Sequence, residues 1–527
     1  MIKIKINNKE IQCEAGEMIL EVAKKNGIEI PSFCYHPDFC VKGNCRVCVV
    51  EIAGQKKLTP SCATGAQEGM EIFTNTERVT KVRDTNIELI YAEHIEKCAT
   101  CIWRFECKIL HYAQKFGVKI NYFKDRKAKR ETYKFDNAVE LDASQCIDCR
   151  NCVDACAMMG INYLEIKNKG YNQEVVPSAN KRKKCILCGQ CAVHCPVSAA
   201  QEQASWQEVE SAIRDPKLTV VAQMPKMIRA SIFEDFDEIN TPQPSDGHRR
   251  ELIKTHPNPS QEGNILEMIA GGLRKIGFDY VFLSDNALGE MVEIEAREFG
   301  GRVRDNRLPM LSAHCSAWVN YIERIRPELK GNLSQTESSH IISGRQIKKY
   351  LSKEGIDEKN IIVVSIVPCT AKKFEITRFS PRPVDAVLTF RELVYMLKKA
   401  RIDLMDDETH PNPPMAIGGK LVDLVSDSRK KVIDSLSEIM SLARRESVKL
   451  VFKETGIEGV KEAKIKIGAR EIRIAKVVGI KNVDAVLDKL DNYDYIDVLS
   501  CPDGCFGGGG QPIPTSAEIR KKRMEAM

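Results

Sequence analysis

Residues 146–156 read CIDCRNCVDAC, and this stretch decides how the rest of the chain is interpreted. Four cysteines stand here with gaps of two, two and three residues. Thiolate sulfur is a soft ligand that suits iron–sulfur clusters or zinc, and short gaps bring several thiolates to one point. The stretch therefore predicts a metal centre.

A second run, CILCGQCAVHC at residues 185–195, repeats the same gaps and is followed by Pro196. Two such runs resemble the bacterial two-cluster ferredoxin module, which implies a ferredoxin-like α+β domain over residues 137–206. In that module the fourth cysteine of each run binds the cluster of the other run. The implied ligand sets are Cys146, Cys149, Cys152 and Cys195 for one [4Fe–4S] cluster, and Cys156, Cys185, Cys188 and Cys191 for the other.

The composition agrees with metal rather than disulfides as the use of the cysteines. The chain has 527 residues, 21 of them cysteine, and a formal charge of +6, which is too small to favour nucleic acid as a partner. No apolar run reaches the 18 or more residues of a membrane span, and the first residues lack an apolar signal core. We therefore expect a cytoplasmic protein whose clustered cysteines bind metal.

Before these runs, Cys34, Cys45, Cys48 and Cys62 have gaps of ten, two and thirteen residues. The preceding "MIKIKIN" and "KEIQC" predict a hairpin, and "EMILEVAKKNG" predicts an amphipathic helix. Four thiolates around a glycine-containing loop suit a [2Fe–2S] cluster, whereas structural zinc sites usually pair two short knuckles. The region resembles the plant-type ferredoxin domain of the complex I large iron–sulfur subunit and of large [FeFe]-hydrogenases, which implies a β-grasp domain at residues 1–78.

A third group, His94, Cys98, Cys101 and Cys107, contains only three cysteines. A [4Fe–4S] cluster needs four ligands, and His94 supplies the fourth; its i, i+4 spacing from Cys98 predicts that both lie on one helix face. The group resembles the His-ligated [4Fe–4S] site of the same two families, placed here at residues 79–122. Imidazole in place of an anionic thiolate implies a raised reduction potential.

Four cysteines remain in the last 330 residues or so: Cys315, Cys369, Cys501 and Cys505. They lie in "LSAHCSAWV", "VPCTAKKFE" and "VLSCPDGCFGGGGQP". These segments resemble, in order, the three signature segments of the [FeFe]-hydrogenase catalytic domain. Together with the cysteine groups before them, the resemblance to large, multi-cluster members covers essentially the whole chain.

This resemblance implies a catalytic domain at residues 210–527 with an H-cluster, which is a [4Fe–4S] cluster joined to a two-iron subsite carrying CO, CN and a dithiolate. Cys505 would bridge the two parts, and Lys372 would hydrogen-bond a cyanide. Pro225 and Lys226, in "MPK", would border the subsite. The apolar runs "KLTVVAQMPK", "YVFLSDN", "IIVVSIVPC" and "YIDVLSC" predict parallel strands of an α/β fold, with the site at their carboxyl ends.

The residue before the first H-cluster cysteine is another cysteine in catalytic members, and there it delivers the proton. Here it is His314, which either moves protons with a different pH optimum or interrupts the path because imidazole is larger. Glu295, Glu298 and Ser334 match the other proton-carrying positions of the family. Further departures at Ser316, Val367 and Leu499 resemble divergent, sensory members.

The expected activity is reversible reduction of protons to H₂, or oxidation of H₂, with electrons relayed through four accessory iron–sulfur clusters. Two alternatives stay open: a hydrogen-sensing regulatory homologue with slow turnover, and an electron-relay subunit of an NADH-dependent complex.

The chain shows no G-x-G-x-x-G behind a strand, so electrons must come from a partner. A ferredoxin, an NADH-oxidising flavoprotein subunit, or both, fit this requirement. The basic runs at residues 124–130 and 180–184 are candidate docking sites for an acidic ferredoxin.

Overall fold

The structure is a computed structural model that describes residues 1–235, 262–404 and 451–527, apart from residues 96, 97, 99, 100, 102, 103, 106, 468 and 469. Within these ranges no helix combines the length and the apolar character that crossing a membrane requires.

The first region forms a mixed five-stranded sheet with strand order β2-β1-β5-β3-β4. The predicted hairpin is present as an antiparallel pair, and β1 pairs with β5 in parallel. Ile4 and Ile6 point from β1 into a core shared with Ile19 and Val22 of the helix. The elements are β1 (Ile2–Ile6), β2 (Lys9–Cys13), α1 (Ile19–Lys25), β3 (Val49–Ile52), β4 (Thr59–Pro60) and β5 (Glu71–Phe73).

The second region contains α2 (Glu77–Ala92) and α3 (Lys108–Lys115). His94 lies in the turn after α2, where its N–H donates to the carbonyl of Tyr91 at 3.0 Å. The prediction that His94 and Cys98 share a helix face is therefore wrong. The helix ends just before Glu93, a buried carboxylate that is ion-paired with Lys127 at 2.9 Å.

Lys127, one cation of the basic run at residues 124–130, is not available to a partner. Its side chain is 2% exposed and lies between Glu93 and Asp148, which is 3.1 Å from Nζ, and it donates to the carbonyl of Cys146. Arg126 is paired with Glu93 as well. These two cations join the second and third regions, whereas Lys124 and Lys129 of the same run are exposed, so docking at this run stays a prediction.

In the third region the two cysteine runs have matching backbones. Asp148 and Leu187 have φ of 57° and 65°, and Arg150 and Gly189 have φ of 66° and 71°. The strands form a three-stranded sheet, β10-β7-β6, and a two-stranded sheet, β8-β9. The elements are β6 (Thr132–Phe135), β7 (Val139–Asp142), α4 (Asn151–Met158), β8 (Leu164–Lys167), β9 (Glu174–Pro177), α5 (Gln190–Val193) and β10 (Ala200–Glu202).

The catalytic region contains two sheets. One is fully parallel, with order β12-β11-β14-β15; the other, β13-β19-β18-β17-β16, is parallel from β13 to β18 and antiparallel beyond. All four predicted strands are present. The strands are β11 (Thr219–Met224), β12 (Tyr280–Leu283), β13 (Met310–Leu311), β14 (Ile361–Val367), β15 (Ala386–Thr389), β16 (Lys453–Glu454), β17 (Val460–Ile467), β18 (Arg470–Val478) and β19 (Tyr495–Leu499).

Helices flank both sheets and join their strands, as expected for an α/β domain. Their apolar faces fill cores on the two sides of the parallel sheet. The helices are α6 (Trp206–Ile213), α7 (Glu262–Ile276), α8 (Asn286–Arg304), α9 (Ser316–Ile325), α10 (Ser339–Lys353), α11 (Ala371–Glu375), α12 (Phe390–Lys399), a short helix at Asp484–Leu487, and a C-terminal helix at Ala517–Glu525.

Candidate metal centres and active site

The structure brings the four cysteines of the first region together below its surface. Cys34, Cys45, Cys48 and Cys62 are all buried. The sulfur atoms of Cys48 and Cys62 lie 3.3 Å apart, and the N–H of Cys45 donates to Cys34 Sγ at 3.4 Å. Backbone donors to sulfur stabilise thiolates, so these residues fit a cluster.

His94, Cys98, Cys101 and Cys107 line one small cavity. Gln145, the residue before Cys146, lines the same cavity. Cys107 caps α3 and accepts a hydrogen bond at Sγ from the N–H of Leu110 at 3.5 Å. An imidazole and three thiols around one space match the donor set that a His-ligated [4Fe–4S] cluster requires.

In the third region, Cys195 of the second cysteine run lies with three cysteines of the first run. A small cavity is lined by Cys146, Cys149, Cys152 and Cys195. The N–H groups of Asp148 and Ala200 donate to Cys146 Sγ and Cys195 Sγ at 3.3 and 3.4 Å.

Cys156 correspondingly lies near Cys185, Cys188 and Cys191. Burial and then the thiol of Cys185 raise the pKa of Cys191 well above its usual range, and Cys188 and Cys156 add to the effect. Backbone N–H groups donate to two of these sulfur atoms: from Tyr163 to Cys156 at 3.2 Å and from Leu187 to Cys185 at 3.4 Å. The exchange of the fourth cysteines is the arrangement that the resemblance to the two-cluster ferredoxin module implies.

Cys315, Cys369 and Cys501 follow the carboxyl ends of β13, β14 and β19, where the two sheets of the catalytic region meet. Burial raises the pKa of Cys501 well above its usual range, and the thiols of Cys369 and Cys315 raise it further. Cys505 lies one turn on, in the 3₁₀ helix Gly504–Gly507, and is exposed. The four thiols therefore share one site, which fits a [4Fe–4S] cluster.

Lys372 lies at this site in α11. Its ammonium donates to Glu375 Oε2 and to Ser338 Oγ, both at 3.2 Å. Burial alone would lower the pKa of Lys372, but Glu375 and the Cys369 thiol raise it above its usual value, so the ammonium stays charged. A buried cation beside thiols suits a centre that carries negative charge.

Glu375 is a site residue that sequence reasoning missed. One of its oxygens, Oε2, accepts from the hydroxyl of Ser316 at 2.6 Å and lies 3.0 Å from His340 Nε2, besides its pair with Lys372. Burial would raise the pKa of this carboxyl, but Lys372 and His340 lower it well below its usual range. Its i, i+3 spacing from Lys372 was the available signal.

His314 pairs with Asp497 of β19, a second residue that sequence reasoning missed. His314 Nε2 lies 3.2 Å from Asp497 Oδ1, and Nδ1 has no hydrogen-bond partner in the described part of the chain. Burial alone would lower the pKa of His314, but the carboxylate of Asp497 raises it to about 9. Alternation along β19 places Asp497 on the same face as Tyr495, but sequence alone does not place that face at His314.

The other predicted proton-carrying residues lie on α8 and the segment after the 3₁₀ helix Pro327–Asn332. Ser334 donates its hydroxyl to Glu298 Oε2 at 2.7 Å, and Arg302 pairs with the other oxygen of Glu298. Glu295 is 1% exposed and accepts from the hydroxyl of Tyr495 at 3.0 Å. Burial raises the pKa of Glu295 to about 7.

Pro225 and Lys226 directly follow β11, which pairs with β14, the strand that leads to Cys369. The N–H of Lys226 donates to Asp285 Oδ2 at 2.7 Å, and its side chain is half-buried. The turn therefore lies at the same end of the parallel sheet as the four cysteines.

The glycines after Cys505 let the catalytic loop lie directly against the third region, besides leaving space around the catalytic site. A Cβ on Gly509 would lie 2.5 Å from Cα of Gly189 and closer still to the carbonyl oxygen of Cys188. Thr370 donates to the carbonyl of Leu187 at 2.7 Å, and the Gln190 side chain donates to the carbonyl of Gly507 at 2.6 Å. The site of Cys156, Cys185, Cys188 and Cys191 thus abuts the site of the last four cysteines.

The fold and these sites define an oxidoreductase with several iron–sulfur clusters and a catalytic centre at strand ends. Family models match in the same order: a 2Fe-2S iron-sulfur cluster binding domain at residues 1–77, a 4Fe-4S dicluster domain at 145–199, and the C-terminal domain of the iron only hydrogenase large subunit at 254–509.

The chain belongs to the iron-only hydrogenase large-subunit family, and is a hydrogenase-type oxidoreductase. It is 31% identical to the NADP-reducing hydrogenase subunit HndD of Solidesulfovibrio fructosivorans, over all of this chain and 92% of that protein. It is 29% identical to iron hydrogenase 1 of Clostridium pasteurianum, over 99% and 90%. With the G 2 subunit of the NADH-quinone oxidoreductase of Rhizobium meliloti it shares 32% identity, over 38% of this chain and 24% of that protein.

Proposed function

We propose that the chain catalyses 2 H⁺ + 2 e⁻ ⇌ H₂ at an H-cluster whose [4Fe–4S] part is held by Cys315, Cys369, Cys501 and Cys505. The observation that carries this proposal is the convergence of these cysteines with the charged Lys372 at the meeting point of two sheets. When bound, the two-iron subsite with its CO, CN and dithiolate ligands supplies the place where protons and electrons combine.

Lys372 would donate a hydrogen bond to an anionic ligand of that subsite. Glu375 and Ser338 fix the direction of its ammonium, and His340 and Ser316 fix Glu375 in turn. Such outer contacts orient the groups that touch a metal centre. Pro225 and Lys226 would border the same subsite from the end of β11.

Protons would reach the site through Glu298, Ser334 and Glu295 to His314. Ser334 and Glu298 are already hydrogen-bonded, and Glu295 lies close enough to His314 and Glu298 for their charges to affect its pKa. Nε2 of His314 faces the carboxylate of Asp497 at 3.2 Å, and Nδ1 has no hydrogen-bond partner among the described residues, so Nδ1 would be the atom available for transfer.

Electrons would pass through one [2Fe–2S] and three accessory [4Fe–4S] clusters. Contacts support two branches that meet at Cys146: Gln145 lines the His94 cavity, and Asn44, from the loop between Cys34 and Cys45, donates to the carbonyl of Asp148 at 3.1 Å. From there the second ferredoxin-type site leads to the catalytic site through the contact of Cys188 with Gly509.

A ferredoxin, an NADH-oxidising flavoprotein subunit, or both would deliver the electrons. Relatives named as subunits of an NADP-reducing hydrogenase and of an NADH-quinone oxidoreductase support a redox partner of this kind. Lys181, Arg182 and Lys184 are exposed next to Cys185 and form no ion pair within the described residues, so this run remains a candidate dock for an acidic partner.

Infrared spectroscopy on the full chain, loaded with its clusters and the two-iron subsite, tests the proposal, followed by hydrogen-evolution assays of wild type, His314→Cys and His314→Ala. We expect CO and CN bands in all three, and activity in wild type that falls at least about 100-fold in His314→Ala, as for a lost proton-transfer group. Absence of the bands would contradict the H-cluster assignment and favour an electron-relay subunit.

The same assay separates an enzyme from a hydrogen sensor. The contact of His314 with Asp497 favours the sensor if it immobilises the imidazole. In that case wild type shows the bands but turns over slowly, and His314→Cys is faster than wild type. Equal or slower turnover of His314→Cys supports His314 as a working proton carrier.

A further inference from the structure

The loop from Cys501 to Cys505 is tied to the first region of the chain through one side chain of the C-terminal helix. Arg520 Nε donates to Asp503 Oδ2 at 2.7 Å, and its Nη1 donates to Asp38 Oδ2 at 3.0 Å. The arginine side chain is only 8% exposed. Asp503 lies between the two cysteines, and Asp38 lies in the loop between Cys34 and Cys45.

Further contacts surround this pair of ion pairs. The N–H of Ala517 donates to the other oxygen of Asp38 at 3.1 Å. On the catalytic side, a Cβ on Gly507 would lie 2.8 Å from Cδ of Arg520, so the loop packs directly on the arginine stem. The aliphatic stem of Arg520 therefore packs on the Cys501–Cys505 side, and its guanidinium pairs with one aspartate from each loop.

Arg523, one turn later in the C-terminal helix, contacts a different set of residues from Arg520. It pairs with Glu234 at 2.6 and 2.8 Å and donates to the carbonyls of Phe506 and Pro512 at 3.1 Å. All of these partners belong to the catalytic region. Arg523 fixes the C-terminal helix to the catalytic loop, whereas Arg520 adds the link to the [2Fe–2S] region.

We propose that Arg520 is a positioning residue that holds the Cys501–Cys505 loop and the Asp38 loop in one arrangement. A guanidinium presents several N–H donors in a fixed plane, so it satisfies two carboxylates that would otherwise repel each other. This inference rests on the proposed function in one respect: Cys505 is taken as a ligand. Arg520 would then hold in place both the loop of the catalytic cluster and the loop of the [2Fe–2S] site, without being a ligand of either cluster.

Hydrogen–deuterium exchange on the cluster-loaded full chain tests this, with peptides covering residues 36–40 and 501–512. In Arg520→Gln we expect roughly tenfold faster exchange in both peptides, because a charge-assisted hydrogen bond is lost on each side. Asp503→Asn should speed exchange only in residues 501–512, and Asp38→Asn only in residues 36–40. Lys522→Gln, an exposed cation of the same helix, should change neither.

Asparagine tolerates the positive φ of 56° at Asp503, so that variant keeps the loop backbone if Arg520→Gln fails to fold. Unchanged exchange in both peptides of Arg520→Gln would overturn the inference, as would a change confined to the C-terminal helix. Infrared bands and hydrogen evolution report separately on the proposed function. If the protein shows no CO and CN bands but still shows the expected exchange pattern, the proposed function is refuted. The link between the two loops through Arg520 then still stands.

Discussion

At the scale of single residues, Glu295 is a carboxyl whose burial has a measurable cost. Its pKa is raised to about 7, mainly because burial disfavours the charged form. The folded protein thus keeps a proton up to about pH 7 that the unfolded chain releases near 4.5. The unfolded state binds fewer protons in this window, so stability falls as pH rises through it.

We expect Glu295→Gln to remove this pH dependence. In wild type it corresponds to about 3 kcal/mol of unfolding free energy between pH values below the unfolded pKa and above the folded pKa of Glu295. Glutamine keeps an oxygen that accepts from Tyr495, so the local hydrogen bond persists. The measurement is the thermal unfolding midpoint of the full chain at pH 5 and pH 8. The midpoint of wild type should fall more than that of the variant.

Glu293→Gln is the matched control, because Glu293 lies on the same helix but is exposed. It should keep the pH dependence of wild type. Identical pH dependence in wild type and Glu295→Gln would show that Glu295 titrates normally in the folded protein.

Residue spacing predicted the local cysteine clusters, because short gaps bring nearby thiols to one point, whereas the grouping of Cys315, Cys369, Cys501 and Cys505 came only from the family resemblance. It did not predict Asp497 or Glu375. Asp497 is one acidic residue of a strand, and only the pairing of β19 with β13, which leads to His314, gives it a role. Glu375 gains its importance from Ser316 and His340, which are distant in sequence.

At the scale of elements, the strands of the catalytic region were predictable because each is a compact apolar run that ends before a loop. The end of α2 was not; the buried residue that follows it, Glu93, pairs with Lys127, 34 residues further along the chain by their numbers. Within the basic run at residues 124–130, the sequence likewise did not show that Lys127 has buried partners. Charge in a sequence does not show whether a cation has a buried partner.

The glycine run after Cys505 gives a prediction at this scale. Gly509→Ala should push the catalytic loop away from Cys188 and Gly189, since the added Cβ has no space there. Overpacking of this kind typically costs about 1–3 kcal/mol. We expect a lower thermal unfolding midpoint, and an altered electron paramagnetic resonance signal from the cluster that Cys188 would hold.

Gly331→Ala is the control, because Gly331 also has no positive φ and a Cβ there meets nothing within 4 Å. It should match wild type in both measurements. If Gly509→Ala behaves like Gly331→Ala, the close approach of the two regions does not exist in solution.

At the scale of the whole molecule, the contacts order the candidate metal centres from the N-terminal regions to the catalytic site. Lys42, from the loop between Cys34 and Cys45, pairs with Asp154 at 2.5 Å and donates to Asn151 at 2.9 Å, both in the helix that carries Cys152. These contacts join both N-terminal sites to the third region at a junction beside Cys146, and Arg520 adds a direct link from the first region to the catalytic loop. A partner that docks beside Cys185 would bypass that junction.

The exposed run Lys181, Arg182 and Lys184 tests where such a partner docks. Reversal of all three charges to glutamate should slow hydrogen evolution driven by an acidic ferredoxin about tenfold at low ionic strength, because charge complementarity accelerates association. The difference should shrink as salt is added, since exposed charges are screened. Evolution driven by reduced methyl viologen, a small cation, should not slow.

The double variant Lys521→Glu/Lys522→Glu places the same kind of reversal on the exposed C-terminal helix and should leave the ferredoxin rate unchanged. A ferredoxin rate that survives reversal at residues 181–184 would contradict docking at this run.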